Sequence, residues 1–139
     1  MKKISVLLAD DHTVVRQGLR SLLAAEPDIE VVRESENGRL AVQMAQKLLP
    51  DILVMDIAMP QLNGLEAARQ IVREGLPTKL LMLSSYAEDE YVQQLAAIGA
   101  SGYLIKQTAA TYLSKPMREA RKGNAFFSPS ISKRLVDYF

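Results

Sequence analysis

Short apolar runs alternate along this chain with longer stretches in which apolar residues recur every three or four positions. Ile4 to Ala9 is an apolar run closed by Asp10-Asp11, and such a run bounded by polar residues predicts a buried strand. Val14, Val15, Gly18, Leu19, Leu22 and Leu23 follow at helical spacing, up to Pro27. Ile29 to Ser35, with Val31 and Val32, predicts a second strand, with Asn37-Gly38 as the turn after it. Leu40, Ala41, Met44, Ala45, Leu48 and Leu49 mark a second amphipathic helix ended by Pro50. Asp51 to Asp56 predicts strand three, and Leu65, Ala68, Ile71 and Val72 a third helix closing at Gly75 and Pro77. Lys79 to Leu83 predicts strand four, terminating in Ser84-Ser85. Glu88, Asp89 and Glu90 then lie in the first turn of a fourth helix, where acids suit the helix dipole. Val92, Leu95, Ala96 and Ile98 form its buried face and Gly99 its stop. Gly102 to Ile105 predicts a short fifth strand running into Lys106, and a fifth helix spans roughly Thr111 to Lys122 before Gly123-Asn124.

Five strands alternating with five helices predict an α/β fold: a parallel sheet covered on both faces through right-handed crossovers. Strand three is apolar at every position from Ile52 to Met55, as a strand buried on both faces must be. It ends in a lone carboxylate, Asp56, before Pro60 and Gly64 break the chain. In such sheets ligands bind beyond the carboxyl ends of the strands. All strand tips face one way, and four carry polar groups: Asp10-Asp11, Asp56, Ser84-Ser85 and Lys106. They meet if strands one, three, four and five are neighbours, which fits the flavodoxin-like, doubly wound (βα)5 order 2-1-3-4-5. Strand one is not followed by a Gly-x-Gly-x-x-Gly turn, so dinucleotide binding has no support.

At 139 residues this is one domain with room for a proper core. The net charge of +1 gives no electrostatic footprint for nucleic acid or a membrane surface. The chain has no cysteine, which excludes disulfides and thiolate metal sites and fits a reducing cytoplasm. The apolar run after Met1-Lys2-Lys3 is too short for a signal peptide, and no segment approaches transmembrane length. The expected location is cytoplasmic, without a membrane partner.

The tip residues define a chemistry. Carboxylates packed together repel unless a cation neutralises them. Oxygen ligands including two or three carboxylates suit Mg²⁺, which keeps several waters and shares its site with a phosphate. A lysine supplies a point charge for a phosphoryl oxygen, and a serine hydroxyl can hydrogen-bond another. An aspartate so placed is a competent nucleophile for phosphorus. The chemistry implied is phosphoryl transfer onto Asp56. An aspartate-nucleophile phosphohydrolase would need a second acid two residues after the nucleophile, where this chain has Ala58.

Five segments stand in order at the strand ends: Leu8-Ala9-Asp10-Asp11-His12, Met55-Asp56-Ile57-Ala58-Met59-Pro60, Asn63-Gly64, Leu83-Ser84, and Gly99-Ala100-Ser101-Gly102-Tyr103-Leu104-Ile105-Lys106. Each is weak alone; together they resemble the receiver domain of two-component response regulators, and specifically the NarL/FixJ (LuxR-type) branch. The likeness covers about residues 4 to 123. It implies that Asp56 is the phosphoacceptor, that Asp11 ligates Mg²⁺ directly and Asp10 mostly through water, and that Asp56 and the Ala58 backbone carbonyl complete the protein ligands. It further implies that Lys106 pairs with the acceptor and then the phosphoryl group, that Ser84 is a switch hydroxyl, and that Tyr103 is a switch aromatic turning inward as Ser84 moves. The donor would be a sensor histidine kinase, and phosphorylation could drive homodimerisation. The protein would be a switch rather than an enzyme. A degenerate or single-domain receiver acting by interaction alone is the alternative.

Three departures bear on this. Many receivers have Lys-Pro with a cis bond where this chain has Lys106-Gln107, and a cis non-proline bond costs about 3 to 4 kcal/mol. Pro116 falls in the predicted fifth helix: past the first turn if Thr111 caps it, harmlessly within it if Ser114 does. Finally, NarL/FixJ-type regulators continue into a helix-turn-helix domain. Residues 1–123 are therefore expected to be the receiver and 124–139 a linker or short extra helix. Ile131, Leu135, Val136 and Phe139 form its apolar stripe, and an excised receiver whose DNA contacts belong to an absent C-terminal domain is favoured over a natural single-domain regulator. His12 is expected to be a helix residue rather than a phosphocarrier. Ala58 and Tyr86, each two residues beyond a site residue, predict slow loss of the phosphoryl group: Ala58 cannot orient water, and the Tyr86 ring would shield the phosphate.

Overall fold

A computed structural model describes residues 2–84, 89–106, 109, 113–127 and 133, with the backbone alone at 89–92. Its strands are β1 (Ile4–Ala9), β2 (Ile29–Ser35), β3 (Ile52–Asp56), β4 (Lys79–Ser84), β5 (Gly102–Ile105) and β6 (Phe126–Phe127). Its helices are α1 (Thr13–Ala24), α2 (Gly38–Leu48), α3 (Gly64–Arg73), α4 (Asp89–Ala97) and α5 (Ser114–Arg121). The sheet is parallel throughout, in the order β2-β1-β3-β4-β5-β6. The expected doubly wound fold is present, extended by one edge strand.

Strand alternation divides the core in two. Leu7, Ala9, Leu53, Met55, Leu80, Met82 and Tyr103 pack with residues of α2, α3 and α4 on one face. Val6, Leu8, Ile52, Val54, Leu81, Leu83 and Leu104 pack with Leu19 and Leu23 of α1 and Leu113, Met117 and Ala120 of α5 on the other. Ala9 pairs with Met55, and Asp56 with Leu83. Asp10 and Asp56 therefore emerge side by side, and each tip residue lies one step beyond its neighbour's last pair.

Two asparagines fix the helix starts. Asn37 caps α2 by accepting the Leu40 N–H at 2.8 Å, and Asn63 caps α3 by accepting the Glu66 N–H at 2.9 Å. Each such cap is worth about 1 kcal/mol. Asn37 thus does more than turn the chain.

Several apolar positions in the helical patterns face outward. Val14 is 80% exposed, and Leu22, Leu48, Leu49 and Val72 are also exposed, while Val42 and Ala67, absent from the expected faces, are buried. In α1, Val14, Gly18 and Leu22 lie four residues apart on one stripe, turned away from the Leu19–Leu23 contact. Leu49 adopts a left-handed conformation (φ 47°) that ends α2 before Pro50.

Helix α5 begins late. Leu113 is its cap residue and Ser114 its first, so Pro116 sits in the first turn, where an N–H has no helical partner to lose. Thr111, Gln107 and Tyr86 lie outside the described residues, as does the stripe of Ile131, Leu135, Val136 and Phe139. Phe126–Phe127, within the stretch expected to be linker, pairs with Gly102 and Tyr103 as β6. Among the described residues no helix is long and apolar enough to cross a membrane.

Candidate functional site

Every group of the site is delivered by a strand end. Asp10 follows β1 directly, its N–H donating to the Ser35 carbonyl at 3.0 Å. Its carboxylate turns back on the chain, Oδ1 accepting the His12 N–H at 2.8 Å. Asp56 closes β3; both it and Asp10 are buried, with Asp10 1% and Asp56 4% exposed. Lys106 follows β5 and reaches across the sheet. Its Nζ donates to Asp56 Oδ2 at 2.9 Å and lies 2.8 Å from Asp10 Oδ2. The contact to Asp10 pairs charge but is off-axis, so Asp10 Oδ2 is a buried oxygen without a hydrogen-bond donor among the described residues. Asp11 lies further out, its Oδ1 at 3.2 Å from His12 Nδ1.

The electrostatics follow from crowding. Burial is the largest influence on Asp56 and raises its pKa; the Lys106 hydrogen bond and charge oppose this, the Asp10 charge adds to it, and the net shift is upward. Burial disfavours the Lys106 ammonium, but its contacts with Asp10 and Asp56 outweigh that and hold its pKa above the usual lysine value. Three carboxylates against one ammonium leave two formal negative charges in a half-buried cluster. One oxygen each from Asp10, Asp11 and Asp56, with a His12 nitrogen, lies within 4.8 Å of the others. A divalent cation matches this set by charge, by ligand type and by the undonated Asp10 oxygen.

The backbone around Asp56 is held closely. Gly64 starts α3 against it, its N–H donating to the Ile57 carbonyl at 2.7 Å. A Cβ on Gly64 would lie 2.2 Å from the Asp56 carbonyl oxygen. Ala58 is exposed two residues beyond Asp56, and its N–H reaches Asp56 Oδ1 at 3.4 Å.

Asp10, Asp11, Asp56 and Lys106 are thus brought together. Ser84 is the last residue of β4, buried and paired with Ile105. By alternation it belongs to the face of Met82 and Tyr103, opposite to that of Asp56. Tyr103 is already fully buried on that face. Two residues went unread. His12 was taken as a helix residue; it is the cap residue of α1 but makes no side-chain cap bond, and its ring joins the acids instead. A non-capping residue directly after an acid pair was the available signal. Arg16, one turn on, donates Nη1 to the Asp10 carbonyl at 2.6 Å and Nε to Glu34 at 3.2 Å, tying the tip of β1 to β2.

The family pattern described as the response regulator receiver domain matches residues 6–118. The chain belongs to the response regulator receiver domains. This receiver is 42% identical over 132 residues to the transcriptional regulatory protein YdfI of Bacillus subtilis, covering 95% of this chain and 62% of that protein. It is 37% identical over 134 residues to the transcriptional regulatory protein DegU of Brevibacillus brevis, covering 96% and 57% respectively. The receiver domain structure of the response regulator NarL from Mycobacterium tuberculosis superposes with a TM-score of 0.85 at 31% identity, over 89% of this chain and all of that one. These likenesses are to NarL/LuxR-type regulators, the branch expected from the five segments. The receiver spans about three fifths of the length of the curated relatives it matches.

Proposed function

We propose that this receiver is a phosphoryl switch in which Asp56 is the acceptor. The observation that carries the reading is the ammonium of Lys106 bridging two buried carboxylates, Asp56 at 2.9 Å and Asp10 at 2.8 Å, in a cluster with excess negative charge. An Asp56 carboxylate oxygen attacks the phosphorus of a phosphohistidine on a sensor kinase. The new O–P bond forms as the N–P bond breaks, and the imidazole leaves with the electron pair. Lys106 holds the acceptor in place and then faces a phosphoryl oxygen, stabilising charge as it builds.

Asp10, Asp11, Asp56 and the Ala58 carbonyl would hold Mg²⁺, which when bound neutralises charge between the carboxylates and the incoming phosphoryl group. The undonated Asp10 oxygen and the crowding around Asp56 fit that ion. Ser84 and Tyr103 are the proposed switch pair. They share a sheet face on neighbouring strands, so a pull on the Ser84 hydroxyl reaches the packing around Tyr103. Phosphorylation then biases two pre-existing arrangements rather than building a new fold.

In this reading residues 1–123 are the receiver unit and 124–139 lead away from it, with β6 docked on β5. The partners are a histidine kinase, a second copy on phosphorylation, and DNA through a further domain, all in the cytoplasm. Turnover is slow self-dephosphorylation, since the Ala58 side chain cannot orient a water.

Intact mass after incubation with acetyl phosphate and Mg²⁺ tests the reading. A single phosphoryl adduct is expected on the parent and none on Asp56→Asn. Folded parent without an adduct would leave interaction alone as the receiver's function.

A further inference from the structure

His12 has no part in phosphoryl transfer as Asp56, Lys106 and an oxygen-bound cation would perform it, yet its ring lies in the centre of the cluster. It is the chain's single histidine. Its Nδ1 lies 3.2 Å from Asp10 Oδ1 and 3.2 Å from Asp11 Oδ1. With metal–ligand bonds of about 2.1 Å, adjacent ligands are about 3.0 Å apart around an octahedral ion and about 3.4 Å around a tetrahedral one. The two spacings fall between these. The buried Asp10 Oδ2, without a hydrogen-bond donor, points independently to a missing positive partner. The His12 side chain is 63% exposed, so an ion can reach the nitrogen from solvent.

Imidazole nitrogen is a ligand for Zn²⁺, Cu²⁺ and Ni²⁺, whereas Mg²⁺ prefers oxygen and water. We propose that His12 Nδ1 makes this centre a mixed nitrogen and oxygen site that takes Zn²⁺, or a similar imidazole-seeking divalent ion, in competition with Mg²⁺. The proposal rests on Asp10, Asp11 and Asp56 being cation ligands. Lys106 Nζ is 3.4 Å from the same Nδ1. An ion bound there displaces the ammonium while occupying an Asp56 oxygen, so Zn²⁺ silences the phosphoacceptor rather than supporting it.

The test is isothermal titration of the whole chain with zinc chloride and with magnesium chloride, for the parent and His12→Gln. Zinc should bind the parent more tightly than magnesium. The variant should lose about tenfold or more in zinc affinity, the order found when residues supporting a metal are removed, with magnesium affinity changed less than twofold. On the parent, the ¹⁵Nδ1 resonance of the single histidine should shift in proportion to zinc and stay put with magnesium. This arm needs no variant to fold. An unmoved resonance, or zinc affinity unchanged in His12→Gln, overturns the proposal. Equal loss for both ions also overturns it, by making His12 a structural partner of the acids. Such imidazolium–carboxylate pairing would by itself give the observed distances. Binding of neither ion to the parent overturns the acidic cation site itself, whereas magnesium binding without the histidine signature removes only the zinc proposal.

Discussion

The two ends of the parallel sheet treat the same residue types in opposite ways. At the amino end, Asp51 Oδ2 accepts the Ser5 N–H at 2.9 Å and its hydroxyl at 3.1 Å, while Ser5 Oγ accepts the Asp51 N–H at 2.9 Å. The Thr78 hydroxyl donates to the Pro50 carbonyl at 2.8 Å. Arg118 donates to both oxygens of Asp28, at 2.9 and 2.8 Å, and to Glu26 at 2.7 Å. At the carboxyl end three carboxylates share one lysine and a buried oxygen has no donor. The Arg118 hydrogen bond holds Asp28 down to about 2, whereas burial pushes Asp56 up. One end is finished; the other is left incomplete for something that arrives. Local rules broken at one place in an otherwise consistent fold mark a functional site.

The largest break in this comparison should come from Gly64. Alanine there puts a Cβ 2.2 Å from the Asp56 carbonyl oxygen and 2.8 Å from Ile57 Cα, so backbone must move. We expect a loss of about 3 kcal/mol in urea unfolding together with most of the phosphoryl adduct. Gly18 in α1 has nothing within 4 Å of its ideal Cβ. Gly18→Ala should therefore stabilise, by roughly 0.5 to 1 kcal/mol, with the adduct intact. Similar effects at both glycines would show that the close packing on Asp56 is not what matters.

Removing one carboxylate from each end sharpens the contrast. Asp51→Ala strands the Ser5 N–H and hydroxyl and should cost about 2 kcal/mol at pH 7, leaving phosphorylation unchanged. Asp56→Asn relieves crowding and should stabilise by roughly 1 kcal/mol while abolishing the adduct. The sign with pH follows from the raised Asp56 pKa. A carboxyl with a raised folded pKa contributes stability below its unfolded value, near 3.9, and loses it as pH rises through the folded one. The advantage of Asp56→Asn should thus be full at neutral pH and vanish in acid. A destabilised Asp56→Asn would mean that its carboxylate supports the fold as Asp51 does.

Much of this was legible in sequence because strand period and strand ends are local signals. Ile4–Ala9 and Ile29–Ser35 keep their expected bounds, and Asp10, Asp56 and Lys106 sit on tips that the order 2-1-3-4-5 makes neighbours. What was not legible depends on tertiary partners. Leu48, Leu49, Val14 and Leu22 continue apolar patterns past the surface that their helices bury. β6 exists through its pairing with β5, not through any strand-like run of its own. A Cβ on Gly102 would lie 2.5 Å from the Phe126 carbonyl, so the approach also needs that glycine. His12 joins the site because the loop after β1 folds back through the Asp10 carboxylate, a turn that no periodicity announces.

The smallest effect, and the cleanest in sign, belongs to the finished end. Asp28 is held at about 2 against 3.8 for a free carboxyl, chiefly by its hydrogen bond from Arg118. A lowered folded pKa gives stability that is present above the unfolded value and lost as pH falls through the folded one. Acid unfolding of the parent should therefore steepen between pH 4 and 2, the window those two values define, and that part of the limb should flatten in Asp28→Asn. The pair is solvent-accessible, so the difference at pH 7 should be slight and should fade in about 0.5 M salt. Superimposable acid limbs for parent and variant would place the acid sensitivity elsewhere. The only strained carboxylates would then be those at the strand tips, where protonation of Asp56 relieves crowding and cannot account for a loss of stability in acid.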